Sequence, residues 1–282
     1  MRQLRLEKPP IRGTDVKDWQ KFLLDERLLT DLPDGIFGNI TAGATGAYQS
    51  RVGIKADGIV GPFTLARALE GGLKSTAAPL VAGADTNQDC TQFAAGMAAA
   101  GINFVGRYYS NSASPKTLKA TEAVALSRAG IKIVAICQDG NDKLERFTTE
   151  RGTKQAKKAL ELAARIGQPN GSAIYFATDF NPAPNDVRGA IMTYFQAVHD
   201  VLATSPYSVG VYGSGLTCRL IRDSGFAQFT WLSQSTGFRE YRAFLPQADV
   251  VQAAPSRKLL PKLNIDDDIA QSAEFGAFQV TT

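Results

Sequence analysis

The sequence predicts an α/β fold, a (β/α) barrel with irregularity expected at its last strands, preceded by a small three-helix all-α domain. Two observations carry this reading. An octet recurs near the start, Asp34-Gly35-Ile36-Phe37-Gly38-Asn39-Ile40-Thr41 against Asp57-Gly58-Ile59-Val60-Gly61-Pro62-Phe63-Thr64, and both copies read Asp-Gly-Ile-x-Gly-x-x-Thr. Beyond residue 80, eight short apolar runs alternate with stretches of helical periodicity, the pattern of strands joined by crossover helices in a TIM-like barrel.

In each octet glycine supplies a positive φ, the Ile or Phe anchors the turn, and the polar residues lead into a helix. Val16, Trp19 and Leu23 mark one face of the helix before the first copy. Ile40, Ala44, Ala47 and Tyr48 mark the middle helix, and Leu65, Ala68 and Leu69 the last. These helices make a domain over residues 1–72. Gly71-Gly72-Leu73-Lys74-Ser75-Thr76-Ala77-Ala78-Pro79 is small and aperiodic, so residues 73–80 read as a linker and 81–282 as the barrel domain. Strands are expected at 81–85, 103–109, 131–136, 173–177, 208–212, 229–232 and 248–252, with a short last one near 264–266.

The 282 residues, 44% hydrophobic and 21% charged, exclude disordered and collagen-like classes and suffice for one large and one small domain. No run approaches the roughly 18 apolar residues of a membrane helix, and Met1 to Pro10 is too broken for a signal-peptide core. The protein is therefore expected to be a monomer made in the cytoplasm without a signal peptide or membrane insertion, acting on its target after release. Cys90, Cys137 and Cys218 are widely spaced and read as reduced, buried thiols. The net charge of +4 comes from basic residues interspersed with acids, so nucleic acid is not indicated. The single histidine, His199, lies on a helical pattern with Phe195, Val198 and Leu202. Zinc peptidases need more histidines than one, so no metal or cofactor is expected and carboxylates must carry any chemistry.

Barrel active sites lie where the strands end, at their C-terminal side. The polar residues there are Asp85, Gln138-Asp139, Asp179, Tyr212, Ser233-Gln234, Gln252, and Asp266 or Asp268. Such a set suits glycoside hydrolysis, in which one carboxyl protonates the leaving oxygen and a second acts as nucleophile, base or stabiliser. Asp179, Asp85, Asp266 and Asp139 are the catalytic candidates. Tyr108, Tyr212, Trp231, Gln138, Gln252 and Asn181 are the candidates for holding substrate. The competing reading makes Asp85 and Asp179 helix or turn caps, the Asp266 to Asp268 run a solvated surface, and Tyr108, Tyr109, Tyr212 and Trp231 core.

Val16-Lys17-Asp18-Trp19-Gln20-Lys21-Phe22-Leu23, followed by both Asp-Gly-Ile turns, resembles the peptidoglycan-binding domain of wall hydrolases over roughly residues 12–70. The resemblance implies a ligand groove near the turns, at Asp34, Gly35, Phe37, Tyr48, Asp57 and Gly58. Gly83-Ala84-Asp85, Phe104 to Tyr109, Ala173 to Phe180, Gly210 to Ser214 and Val250-Val251-Gln252 resemble the glycoside-hydrolase-like domains similar to glycoside hydrolase family 25 muramidases. This implies a lysozyme-like barrel with its acids at Asp85, Asp179 and Asp266. The family's Asp-x-Glu pair departs here, because Asn181 stands where the muramidases have their proton donor. Either Asp179, Asp139 or Glu145 supplies the proton, or the barrel binds glycan without cutting it. The combined resemblance implies a muramidase-like lytic enzyme of the phage endolysin kind, with peptidoglycan as partner. Its alternative is a two-module glycan-binding protein, and the lone histidine counts against an amidase or peptidase.

Overall fold

Each Asp-Gly-Ile turn is folded around a buried glutamine. In the first, the Gln20 amide donates to Asp34 Oδ1 at 2.8 Å, the Ile36 carbonyl at 3.1 Å and Thr41 Oγ1 at 3.0 Å, and accepts from the Gly35 N–H at 2.8 Å. Gln49 repeats the pattern on Asp57, Ile59, Thr64 and Gly58. Gly35 and Gly58 adopt φ of 76° and 69°, which the missing Cβ permits. The turns connect α1 (Thr14–Asp25), α2 (Asn39–Arg51) and α3 (Pro62–Leu69). Val16, Trp19, Leu23, Phe37 and Tyr48 form the core of this bundle. One expectation fails on α2, where Ile40 is 63% exposed and Ala47 is exposed, while Thr41, Thr45 and Gln49 turn inward. Hydrogen bonds explain the rotation, since Thr45 accepts from the Trp19 indole at 2.9 Å and Thr41 from Gln20.

The structure, a computed structural model, describes residues 2–69, 81–110 and 115–281. It divides into two units, Met1–Ala77 and Ala78–Thr282. The expected linker at 73–80 lies outside the described residues.

The second unit is a closed barrel of eight strands in sequence order, as the alternating runs predict. They are β1 (Val81–Asp85), β2 (Phe104–Tyr109), β3 (Lys132–Cys137), β4 (Ala173–Ala177), β5 (Ser208–Gly213), β6 (Phe229–Leu232), β7 (Val250–Leu260) and β8 (Leu263–Ala270). Helices α4 (Ala94–Ala99), α5 (Ala120–Arg128), α6 (Thr149–Ile166), α7 (Pro184–Asp186), α8 (Met192–Leu202), α9 (Gly215–Asp223) and α10 (Tyr241–Phe244) occupy the connections. The first seven strands run parallel. β8 is antiparallel to both β7 and β1, because only Pro261-Lys262 separates it from β7 and a helical crossover needs far more chain.

Side chains alternate across each strand. Phe104, Val134, Ile136, Tyr175 and Trp231 fill the barrel, whereas Val105, Tyr109, Ile133 and Phe176 pack in the layer beneath the helices. Tyr109, 1% exposed and hydrogen-bonded to Gln168 at 2.7 Å, is thus core rather than a sugar platform. At the N-terminal end of the strands, Phe278 pairs with Ile133 and the Phe275 carbonyl accepts from the Tyr175 hydroxyl at 2.8 Å, closing the bottom. The three cysteines are free and buried, and burial pushes each thiol up to about 12. On α8, Phe195, Val198 and Leu202 are buried, while His199 is partly exposed against Asp200 and Phe226.

Candidate active site

The open, C-terminal end of the barrel holds a cavity of about 270 Å³. Asp85, Tyr108, Lys116, Gln138, Asp179, Tyr212, Gln234, Gln252 and Asp266 supply its polar lining, and Ile136, Ala177 and Trp231 its apolar part. The strand pattern explains the set. Asp85 is the last residue of β1, and Asp266 is its register partner on β8. Gln138 follows β3, and Asp179 lies two residues beyond β4. β1 and β4 are three strands apart in the eight-strand ring, and Asp85 and Asp179 both line the cavity.

Asp85 is 4% exposed and accepts from the Tyr108 hydroxyl at 2.9 Å and the Gln252 amide at 2.6 Å. The same Gln252 nitrogen reaches Asp266 at 3.4 Å, and Gln252 is held in turn by the Tyr212 hydroxyl at 2.7 Å. Burial, with Asp266 as a neighbouring like charge, raises the Asp85 carboxyl to about 7 against the opposing pull of its two donors. Asp268 lies deeper, 1% exposed, with one oxygen bonded to the Trp231 indole at 3.1 Å and the other without a hydrogen-bond partner among the described residues. Burial, with the like charges of Asp85 and Asp266, raises its pKa well above the ordinary carboxylate range. Burial also raises Asp179, against the opposing pull of the Gln138 amide at 2.9 Å and the Lys116 charge. Asp85 and Asp179 thus both hold their protons above the ordinary carboxylate range, Asp85 with a like charge adding to the shift and Asp179 with a cation opposing it.

The structure therefore brings together Asp85, Asp179, Asp266, Tyr108, Tyr212, Gln138 and Gln252. Of the other barrel candidates Trp231 alone lines the cavity. Asp139 lies outside the cavity lining, where it accepts from Ser110 at 2.7 Å, because the period-two alternation that aims Gln138 inward turns its neighbour aside. Glu145 is exposed on a short helical turn outside the cavity. Asn181 accepts from the Arg239 backbone N–H at 2.9 Å and serves as a clasp between the loops after β4 and β6. Trp231 borders the cavity but, at 0% exposure, forms its floor. In the three-helix unit Phe37 and Tyr48 are fully buried, Gly35 is buried, and Asp34, Asp57 and Gly58 bind the two glutamines. Phe37 and Tyr48 thus pack the core and present no surface to a ligand.

Lys116 escapes strand-end reasoning because it follows β2 by seven positions. Its ammonium lies 4.3 Å from the Tyr108 ring centre and within 3.3 Å of Gln138 Oε1. Behind it, Arg107, paired with Glu122 at 2.6 Å and wholly buried, donates to the Thr86 carbonyl just after Asp85 and to the Pro115 carbonyl just before Lys116. One guanidinium fixes both loops.

Comparisons with known proteins agree with this geometry. Residues 12–67 match the peptidoglycan binding domain model, and residues 95–270 match the Rv2525c-like, glycoside hydrolase-like domain model. Two Bacillus subtilis proteins are relatives. YbfG is 31% identical over 152 residues, covering 49% of this chain and 21% of that protein; FadG is 27% identical over 215 residues, covering 73% and 37%. The chain thus spans only a fraction of the length of these curated relatives. The crystal structure of the Mycobacterium tuberculosis Tat-secreted protein Rv2525c, 24% identical, shares the fold with a TM-score of 0.62 over 71% of this chain and 99% of that one. With a barrel of this form and a family model spanning most of it, the chain belongs to the Rv2525c-like, glycoside hydrolase-like domain family and carries an N-terminal peptidoglycan-binding domain.

Proposed function

We propose that the barrel hydrolyses the glycan backbone of peptidoglycan, in the manner of a muramidase, with Asp85 as proton donor and Asp179 as the second carboxylate. A peptidoglycan-binding domain joined to a glycosidase-like barrel makes a protein that acts on cell-wall glycan. One observation supports the finer reading above the others: a buried carboxyl with a pKa of about 7 lines the same polar cavity as a second acid, Asp179. Asp85 moves the donor role from the position of Asn181 to the end of β1. Asp266 disfavours the ionised form of Asp85 until the proton is delivered. Asp179, facing the other side of the sugar, receives the proton of an attacking water.

Digestion of purified peptidoglycan followed by mass spectrometry tests this. New reducing-end sugars are expected, and their loss in Asp85→Asn. New free amines would instead make the protein an amidase or peptidase. A second reading, glycan binding without cleavage, draws on the Asn181 clasp, which spends the family's donor position on holding a loop. Retention of soluble glycan by the barrel with no new reducing ends on any cell wall would establish that reading in place of hydrolysis.

A further inference from the structure

A glycosidase that cuts inside a polymer needs a groove open at both sides, because the chain must pass across the reacting bond. The rim of this cavity is laced by hydrogen bonds from one strand end to the next. Gln88, after β1, donates to the Lys262 carbonyl at 3.0 Å and accepts from the Asn264 N–H at 2.8 Å, closing the edge toward the β7–β8 turn. Arg107 joins the loops after β1 and β2 through the Thr86 and Pro115 carbonyls. Lys116 joins the β2 loop to Gln138 after β3, and Gln138 donates to Asp179 after β4. Arg239 carries the lacing on, holding Asn181 with its backbone N–H and guanidinium while its own carbonyl accepts from Leu216 after β5. Among the described residues the edge from β7 round to β6 is thus tied at each step, and the floor is closed by Trp231 with no exposed surface. The volume of about 270 Å³ sits just below the roughly 300–1,000 Å³ of small-molecule sites, room for about one sugar ring.

We propose that this cavity receives the non-reducing end of a glycan strand, so that the barrel releases sugars from chain termini and does not cut within the strand. The proposal rests on the hydrolytic part of the reading above, adds the mode of attack and, where the terminal ring is N-acetylglucosamine, moves the cut from the muramidase bond to the bond at that ring's own C1. The direction follows from the chemistry. The ring held between Asp85 and Asp179 is the one whose C1–O bond breaks, so its C1 must face the mouth and the rest of the strand, leaving its O4 side enclosed. Asp85 gives its proton to the glycosidic oxygen as that bond breaks. Water adds at C1 and Asp179 takes the proton the water loses, so one water is consumed for each bond cut.

The test uses the full chain and peptide-free glycan strands whose reducing ends have been converted to alditols, with products followed in time by chromatography and mass spectrometry. Monosaccharides are expected from the first time point alongside long remaining strands. A ladder of intermediate lengths would overturn the end-directed mode while leaving hydrolysis intact. Capping the terminal N-acetylglucosamine with galactose at its O4 should lower release at least about tenfold, and unchanged release from capped strands overturns the proposal. If no strand is cut, hydrolysis fails and binding decides the rest. Equal affinity of the barrel for capped and uncapped strands then rejects end recognition, and an affinity at least about tenfold lower for capped strands supports it.

Discussion

Two neutral donors are a poor exchange for the hydration a carboxylate loses on burial, and among the described residues Asp85 receives Tyr108 and Gln252 alone. Its proton is therefore retained to about pH 7. Asp179 is exposed to solvent, and the Lys116 charge favours its ionised form. If Asp85 is the donor, activity falls as pH rises through about 7, because the protonated fraction disappears there. Asp266→Asn removes the like charge beside Asp85, which lowers its carboxyl and moves this alkaline limb to lower pH. A pH–rate profile of kcat/KM measures the displacement, and an unmoved or upward limb rejects Asp266 as the group that tunes Asp85. Asp179→Asn retains shape but cannot accept the proton of water. Turnover should drop at least about a thousandfold, roughly 4 kcal/mol of transition-state stabilisation, with little change in substrate affinity. Equal turnover in variant and parent removes Asp179 from the mechanism.

At the scale of elements, the turn repeat was readable because Asp-Gly-Ile-x-Gly-x-x-Thr keeps its internal spacing, but the glutamine inside each copy was not. Gln20 precedes its aspartate by fourteen positions and Gln49 by eight, so no fixed-offset comparison aligns them. Gln49→Ala strips the half-buried Gly58 N–H of its acceptor and the buried Thr64, along with the exposed Asp57, of a donor. The loss should be about 2–3 kcal/mol of the small unit's stability, measurable by urea unfolding of residues 1–77. The barrel strands were likewise legible from their apolar runs, six of them within two residues at both ends. The direction of β8 was not, since an apolar run carries no sign of which way it pairs. Strand-end reasoning therefore reached Asp266 by residue type, whereas the structure places it in the middle of a reversed strand, opposite Asp85. Lys116 had no signal at all, as its loop position depends on Arg107 and Glu122, which the sequence separates by fifteen residues.

At the scale of the whole molecule, the site costs the fold stability that the binding unit does not share. A carboxyl raised in the folded state favours folding only while it is protonated in both states. Below pH 3.8 the Asp85 burial carries no charge penalty, and stability then falls as pH rises toward about 7. Asp85→Asn should thus stabilise the barrel at pH 7.5 by at most about 4 kcal/mol from the size of the shift, read as a higher Tm, and show no gain below pH 4. A Tm equal to the parent's at both pH values would show that the buried charge costs nothing. The small unit contributes differently, through delivery. Tethered to a module held on insoluble polymer, the barrel meets glycan at an effective concentration fixed by the tether rather than by the bulk. The residues that line the cavity lie in the second unit. Removal of residues 1–77 should therefore leave kcat/KM on soluble glycan strands unchanged while lowering the rate on suspended cell walls at least about tenfold, and residues 1–77 alone should pellet with those walls. An equal fall on both substrates would mean that the module shapes the active site, and equal rates on both would mean that it does not deliver the barrel to its polymer.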